Sequence, residues 1–139
     1  MAAKKDPSAE DRIDAHLKGR LEDIRKLWDA QMAGQEDVED LGNLNNYGLA
    51  FDYVEGGTDY NHGGGYFRWQ LSWGGPSDEF RFYTDTRGRP YSIEYAFLDW
   101  FDGAKRKLTG ANKQLLGDIF EDWKDMGVTA TAFEDARGE

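Results

Sequence analysis

Hydrophobic and polar side chains alternate in steps of two along residues 66–97. Turn-forming residues interrupt the alternation at 74–77 and at 85–90, and it resumes after each interruption. A period of two, rich in aromatic residues and punctuated by Gly and Pro, predicts β-strands with one buried side and one solvent-facing side. Because the connections are short, neighbouring strands should run antiparallel. The buried side is predicted to carry Phe67, Trp69, Leu71, Trp73, Phe80, Phe82, Thr84, Tyr91, Ile93, Tyr95 and Phe97.

The same alternation over residues 47–54 predicts one further strand ahead of these. Apolar residues recur at steps of three or four from Ile13 to Met32, and again from Leu115 to Met126. This spacing predicts two amphipathic helices, each with one apolar stripe that packs on the buried side of the sheet.

These elements predict an α+β fold, a four-stranded antiparallel meander with an N-terminal and a C-terminal helix packed on one face. Ser8 and Asp11 have the spacing of a capping box at the start of the first helix. A length of 139 residues suits a single domain, which we assign to residues 8–127. Residues 1–7 and 128–139 have no periodic pattern, and we expect both to be mobile tails.

Composition removes several classes of chemistry. The chain has no cysteine and only two histidines, His16 and His62, which excludes a disulfide scaffold, a thiolate zinc site and a cysteine nucleophile. No apolar run approaches the roughly 20 residues that span a bilayer, and the N-terminus lacks the apolar core of a signal peptide. We expect a cytoplasmic protein that does not contact a membrane and needs no cofactor.

Net charge points to a class of partner. The formal charge is -10, and residues 34–65 contain no lysine or arginine. A chain this acidic repels phosphate backbones, so direct nucleic-acid binding is not expected, whereas basic protein surfaces are favoured. Acidic runs often serve only as a solvated surface, and that alternative stays open. The candidate contact residues in this region are Glu36, Asp37, Glu39, Asp40, Asp52, Glu55 and Asp59.

The predicted solvent-facing side of the sheet supplies a second set of candidate contacts. Tyr and Arg are enriched among the residues that dominate binding energy at interfaces. In the alternative reading, Arg68 or Arg81 pairs with Glu79 or Glu94 and only stabilises the sheet. The candidates on this side are Tyr66, Arg68, Gln70, Arg81, Tyr83 and Glu94.

Three aspartates form the best candidate for catalysis. Asp99 and Asp102 lie three positions apart, as on one helical turn, and with Asp52 they would offer the oxygen ligands that magnesium prefers. With 27 acidic residues in the chain, such spacings also arise by chance. No histidine or basic residue completes a hydrolase site, so we expect neither a metal site nor catalytic residues.

Three segments of the chain resemble a known group of proteins. They are NYGLAFDYV at 46–54, GYFRWQLSWGGPSDEFRF at 65–82 and FLDWFDGA at 97–104. They are similar to small acidic proteins encoded on bacterial phages, prophages and conjugative plasmids, and the likeness covers residues 20–125. The resemblance implies a mobile-element protein in a bacterial host cell, a setting in which compact acidic proteins often disarm host defence.

The expected function is therefore a non-enzymatic inhibitor of the anti-CRISPR or anti-restriction kind. As a nucleic-acid mimic, it would bind a basic, nucleic-acid-handling site of a CRISPR effector or restriction nuclease, as a monomer or homodimer. The alternatives are a metal-dependent hydrolase using Asp52, Asp99 and Asp102, or a homodimeric accessory or adaptor protein of the mobile element.

Overall fold

A computed structural model describes residues 8–56, 65–74 and 76–138. The elements follow in the order α1 Ala9–Met32, α2 Leu44–Tyr47, β1 Ala50–Val54, β2 Tyr66–Ser72, β3 Ser77–Thr84, β4 Pro90–Asp99, β5 Asp102–Lys107, α3 Gly110–Asp125 and α4 Val128–Arg137. The strands form one antiparallel sheet in the order β1-β2-β3-β4-β5. The predicted α+β class and antiparallel meander are confirmed, but the sheet has five strands where the sequence pattern predicts four.

Strand β5 is the one that the pattern misses. The chain leaves β4 through a two-residue turn, Trp100–Phe101, and returns with Asp99 paired to Asp102 and Phe97 paired to Ala104. Ala104 is the buried side chain of β5, and its flanking residues are mainly basic or glycine. An edge strand that buries one small side chain has no hydrophobic alternation, and exposed lysines are typical of such edges.

The inner face of the sheet, defined by Phe67, Trp69, Phe80, Phe82 and Tyr95, forms an aromatic core with α1 and α3. The Phe120 ring of α3 lies 4.9 Å from Phe82, and the Trp123 ring lies 4.8 Å from Trp69. On α1, the His16 ring stacks on Phe97 at 4.5 Å. Aromatic pairs at these separations add to the stabilisation from buried apolar area. Both helices therefore cover the same side of the sheet.

Helix α1 begins as its capping pattern predicts. The Ser8 hydroxyl accepts from the Asp11 backbone N–H at 3.1 Å, and the Asp11 carboxylate accepts from the Ser8 N–H at 3.3 Å. These bonds satisfy donors that would otherwise be unpaired at a helix start.

The C-terminal segment is a correction to the sequence prediction. Residues 128–139 are predicted to be a mobile tail, yet Val128–Arg137 form helix α4, which packs against β1. Gly127 adopts a left-handed backbone (φ 85°) that turns the chain between α3 and α4. The buried residues of α4 are Thr129 and Ala132, which are too small and polar to produce an apolar stripe in the sequence. The predicted tail at residues 1–7 lies outside the described residues.

Two residues predicted to lie on the buried side of the sheet are exposed, as are Met32 and Met126 at the ends of the two predicted apolar stripes. Trp73 retains 75% of its accessible surface, and Tyr91 retains 49%. The pairing of β2 with β3 shifts between Gln70 and Ser72, so the alternation no longer holds when the chain reaches Trp73. Tyr91 lies at the opposite end of the sheet, near the start of β4.

Candidate functional site

The outer face of the sheet, opposite the helices, carries an internally paired polar network. Arg68 holds Asp52 with two hydrogen bonds of 3.0 and 2.6 Å, directly across the β1–β2 pairing. Arg81 donates to Glu79 at 2.7 Å. Both ion pairs join neighbouring side chains within the sheet. The Arg81–Glu79 pair is one that the alternative interpretation names, whereas Arg68 pairs with Asp52 and not with a glutamate.

Burial further limits the use of this face for binding. Tyr83 is 0% exposed and Gln70 is 9% exposed, so neither presents the contact surface that the alternation predicts. The Tyr83 hydroxyl donates to Glu94 at 3.1 Å, and the Tyr66 ring lies 5.4 Å from the Tyr83 ring. Burial raises the pKa of both tyrosines, which stay neutral phenols at physiological pH. The contacts of the outer face therefore mainly stabilise the sheet. Its half-buried members are Tyr66, Arg68, Arg81 and Glu94.

The segment between α1 and α2, here called the acidic connector (residues 34–43), has a defined backbone. Val38 and Gly42 exchange backbone hydrogen bonds of 2.8 and 2.9 Å around a turn in which Asp40 is left-handed (φ 71°). Asn43 then caps α2 through a reciprocal pair of bonds with Asn46. Four carboxylates of the acidic connector are exposed to solvent: Glu36, Asp37, Glu39 and Asp40.

Among the described residues, these four carboxylates have no cationic neighbour. Within the described ranges, no lysine or arginine lies within 4.0 Å of any of them, and the exposed Glu55 is likewise unpaired. Asp52, in contrast, is neutralised by Arg68. Asp59 falls outside the described residues. Of the acidic candidates, Asp52 is thus engaged within the sheet, whereas the four connector carboxylates and Glu55 face solvent.

The C-terminal end of α1 strengthens the negative field of the connector. The C-terminal turns of α1 and α3 lie side by side, because Gln31 donates to Asp122 at 3.1 Å. A helix C-terminus carries a partial negative charge, and the last turn of α1 contains no basic residue. A cleft of about 480 Å³ lies here, lined in part by Leu27, Glu36, Asp37 and Met126. The α1 end and these carboxylates therefore concentrate negative potential at one edge of the molecule, whereas the α3 end carries Lys124 and adjoins the start of α4.

A larger cleft, of about 760 Å³, runs along α1 and has a different character. Leu17 and Leu21 contribute its apolar lining. Its charged lining is balanced between acids and bases: Asp14, Glu22 and Asp29 against Lys18, Arg25 and Lys26. This balance gives the cleft no preference for a ligand of either sign.

The structure does not assemble the three aspartates considered for metal binding. Asp52 pairs with Arg68, and Asp99 forms an ion pair with Arg12. Asp102 accepts from the Ala9 backbone N–H at 2.7 Å. Asp99 and Asp102 face each other at the base of the β4–β5 turn, not on a helical turn, and Asp52 is three strands away. In the part of the chain that the structure describes, no three His, Asp or Glu residues are grouped to hold an ion.

A second exposed surface escaped the sequence pattern. Trp73 (75% exposed), Trp100 (85%) and Phe101 (104%) project from the β2–β3 and β4–β5 connections. We call these three residues the aromatic rim. The sequence places Trp100 and Phe101 between two aspartates, which is the one local sign of an exposed turn. That sign could be used only if β5 were recognised as a strand after them.

No described helix has the length and apolar character that crossing a membrane requires. No protein-family model, curated protein or solved structure matches the chain.

Proposed function

We propose that the protein is a non-enzymatic inhibitor that docks its acidic connector on a basic, nucleic-acid-handling surface of a bacterial defence complex. The proposed targets are CRISPR effectors and restriction nucleases. The observation that supports this proposal is a set of four exposed carboxylates beside the C-terminus of α1, with no described lysine or arginine within 4.0 Å of them.

Electrostatics supply the mechanism. Surfaces that handle nucleic acid are basic, and an acidic protein competes for the same groups as the phosphate backbone. Complementary charge accelerates encounter, while excess charge of one sign discourages wrong partners. The inhibitor then blocks nucleic acid by occupying the surface, and no bond needs to be broken.

A protection assay tests the function. The chain is expressed in bacteria that carry an active CRISPR or restriction system, and plating of a targeted phage is compared with an empty-vector control. Expression should raise the plating efficiency by at least tenfold. Unchanged plating against representatives of both kinds of defence would contradict the proposal.

A matched pair of variants tests the acidic connector itself. The first carries Glu36→Gln, Asp37→Asn, Glu39→Gln and Asp40→Asn. The control neutralises four exposed carboxylates elsewhere: Glu22→Gln, Asp118→Asn, Glu134→Gln and Asp135→Asn. Both variants have the same net charge, so only the location differs. The connector variant should lose protection and the control should keep it; equal losses would assign the effect to overall charge.

A further inference from the structure

The aromatic rim exposes more apolar surface than the fold requires. Trp100 and Phe101 are the two residues of a tight turn, a position that polar residues and glycine normally occupy. Isolated exposed apolar side chains are ordinary, but grouped ones mark interaction sites. Trp is also among the residues most enriched at binding hot spots.

The backbone at Trp100 is strained. Its φ is 58°, and apart from Asp40 it is the only described residue other than glycine with a positive φ. A positive φ at the first residue of a two-residue hairpin turn belongs to glycine, because a Cβ there meets the neighbouring backbone. For a bulky residue this costs on the order of 1–2 kcal/mol, which the fold must supply elsewhere. Strain of this kind is typical of functional positions.

The rim residues lie together at one end of the sheet. Strand β2 ends at Ser72 and β4 ends at Asp99, and both strands run in the same direction because β3 between them is antiparallel to each. Their two turns are therefore about 10 Å apart, two strand spacings. Leu49, which is 62% exposed, lies at this end too, since its N–H donates to the Gln70 carbonyl at 2.8 Å.

Leu49 connects this end of the sheet to the negative edge of the molecule. Leu44 and Asn45 of α2 line one cleft with Leu49 and another with Glu36 and Asp37, so Leu49 and the acidic connector flank α2. At the base of the rim, Asp99 pairs with Arg12, and Asp102 accepts from the backbone N–H at the start of α1. A partner that covers the rim and Leu49 thus meets apolar side chains at one side and the connector carboxylates at the other.

We propose that the aromatic rim is the short-range anchor for a protein partner that carries an apolar pocket within a basic surface. This inference rests on the proposed function, and it assigns specificity to Trp73, Trp100 and Phe101 rather than to the outer face of the sheet. Hairpin turns that project need a concave site, whereas two copies meeting through the same turns would oppose convex surfaces. The net charge of -10 disfavours a second copy, nucleic acid and anionic lipid.

The test compares a rim variant, Trp73→Ser with Trp100→Gly and Phe101→Ser, with the control Tyr91→Ser. Tyr91 is an exposed aromatic at the opposite end of the sheet. Each purified chain is used to capture proteins from the lysate of the protected strain, and affinity for the captured protein is then measured by calorimetry. The rim variant should bind at least ~30-fold more weakly, as loss of hot-spot residues requires, and the control should bind as wild type.

A photo-crosslinking residue placed at Phe101 should label that same protein, and one placed at Tyr91 should not. Thermal unfolding confirms that the rim variant is folded, with Trp100→Gly alone as a second folded variant. Wild-type capture with unchanged binding by the rim variant overturns this inference and leaves the proposed function standing. Failure of the wild type to capture any protein removes both.

Two further measurements address other occupants. Sedimentation of the wild-type chain alone should show no association that the rim variant loses; such association would assign the rim to a second copy. Flotation with phosphatidylcholine or phosphatidylglycerol vesicles should show no rim-dependent binding, and its appearance would assign the rim to a lipid surface.

Discussion

At the scale of single residues, Asp78 is the most heavily used polar group in the described core. It is 3% exposed and accepts from Arg20 at 2.7 and 2.9 Å, from the Tyr95 hydroxyl and from the Ser72 hydroxyl. Arg20 belongs to α1, so this carboxylate fixes the helix on β3. A buried charge is tolerated only when paired and hydrogen-bonded in this way.

Replacement of Asp78 by Asn should destabilise the fold by about 3 kcal/mol, because Arg20 would lose its partner in a mostly buried site. Urea denaturation followed by tryptophan fluorescence measures the change. The control is Asp52→Asn, whose ion pair with Arg68 is more exposed and should cost less than about 1 kcal/mol. Equal losses in the two variants would contradict a special role for Asp78.

Asp78 also predicts how stability depends on pH. Burial would raise its pKa, but the Arg20, Ser72 and Tyr95 hydrogen bonds together hold the pKa below the ordinary value of 3.8. The folded state therefore binds this proton less readily than the unfolded state. The stabilisation is present above pH 3.8 and is lost as pH falls through the folded pKa. Denaturation midpoints measured from pH 6 downward should fall more steeply in the wild type than in Asp78→Asn.

Replacement of Trp100 by glycine should increase the stability of the fold. Trp100→Gly removes the strain of a left-handed backbone (φ 58°) while giving up a side chain that is 85% exposed. The free energy of unfolding should rise by about 1 kcal/mol. Differential scanning calorimetry measures it, and a decrease would show that the indole stabilises the turn instead.

At the scale of elements, periodicity predicts the parts of the chain that bury large side chains. The two long helices and four of the strands follow from spacing alone, because each must present an apolar side to the core. Strand β5 and helix α4 escape this logic, since their buried residues are Ala104, Thr129 and Ala132. Small side chains become buried because elements distant in the chain pack on them. The local hydrophobic pattern therefore does not predict their burial. The strand predicted at 47–54 is also too long, because Tyr47 ends the unpredicted helix α2 and β1 covers Ala50–Val54.

Helix α4 can be tested at two alanines of the helix, one buried and one exposed. Ala132→Glu places a carboxylate at a site that is 7% exposed and should destabilise the protein by about 2 kcal/mol or more. Ala130→Glu lies on the exposed side of the same helix and should change stability by less than about 0.5 kcal/mol. Thermal melts of both variants decide; indistinguishable melts would mean that α4 does not pack on the sheet in solution.

At the scale of the whole molecule, charge and shape are distributed unevenly. The acidic connector and the C-terminus of α1 form a negative edge, while the aromatic rim occupies one end of the sheet. The side chains of the outer face of the sheet are largely engaged in ion pairs with one another, so fewer of them can contact a partner than at the connector or the rim. A partner that uses charge for approach and aromatic anchors for specificity would therefore bind across the connector and the rim.

This division predicts separate kinetic effects. Raising salt from about 50 to 500 mM should slow association with the captured partner, because exposed charges are screened within a few ångströms at high ionic strength. The connector variant should associate slowly at both concentrations, and the rim variant should mainly dissociate faster. Surface plasmon resonance resolves the two rates. A salt-independent association rate for the wild type would contradict electrostatic docking.

Side-chain spacing and composition are enough to predict the α+β class, the antiparallel meander, the aromatic inner face and the excess of acid in residues 34–65. These properties follow from local spacing and composition. The tertiary structure adds that Asp52 is paired with Arg68, and that no described lysine or arginine lies within 4.0 Å of Glu36 or Asp37. It also buries Tyr83 and places Trp73 at the same end of the sheet as Trp100. Each of these depends on strand register, on a shift of pairing after Gln70 and on contacts between residues distant in the chain, which no local pattern encodes.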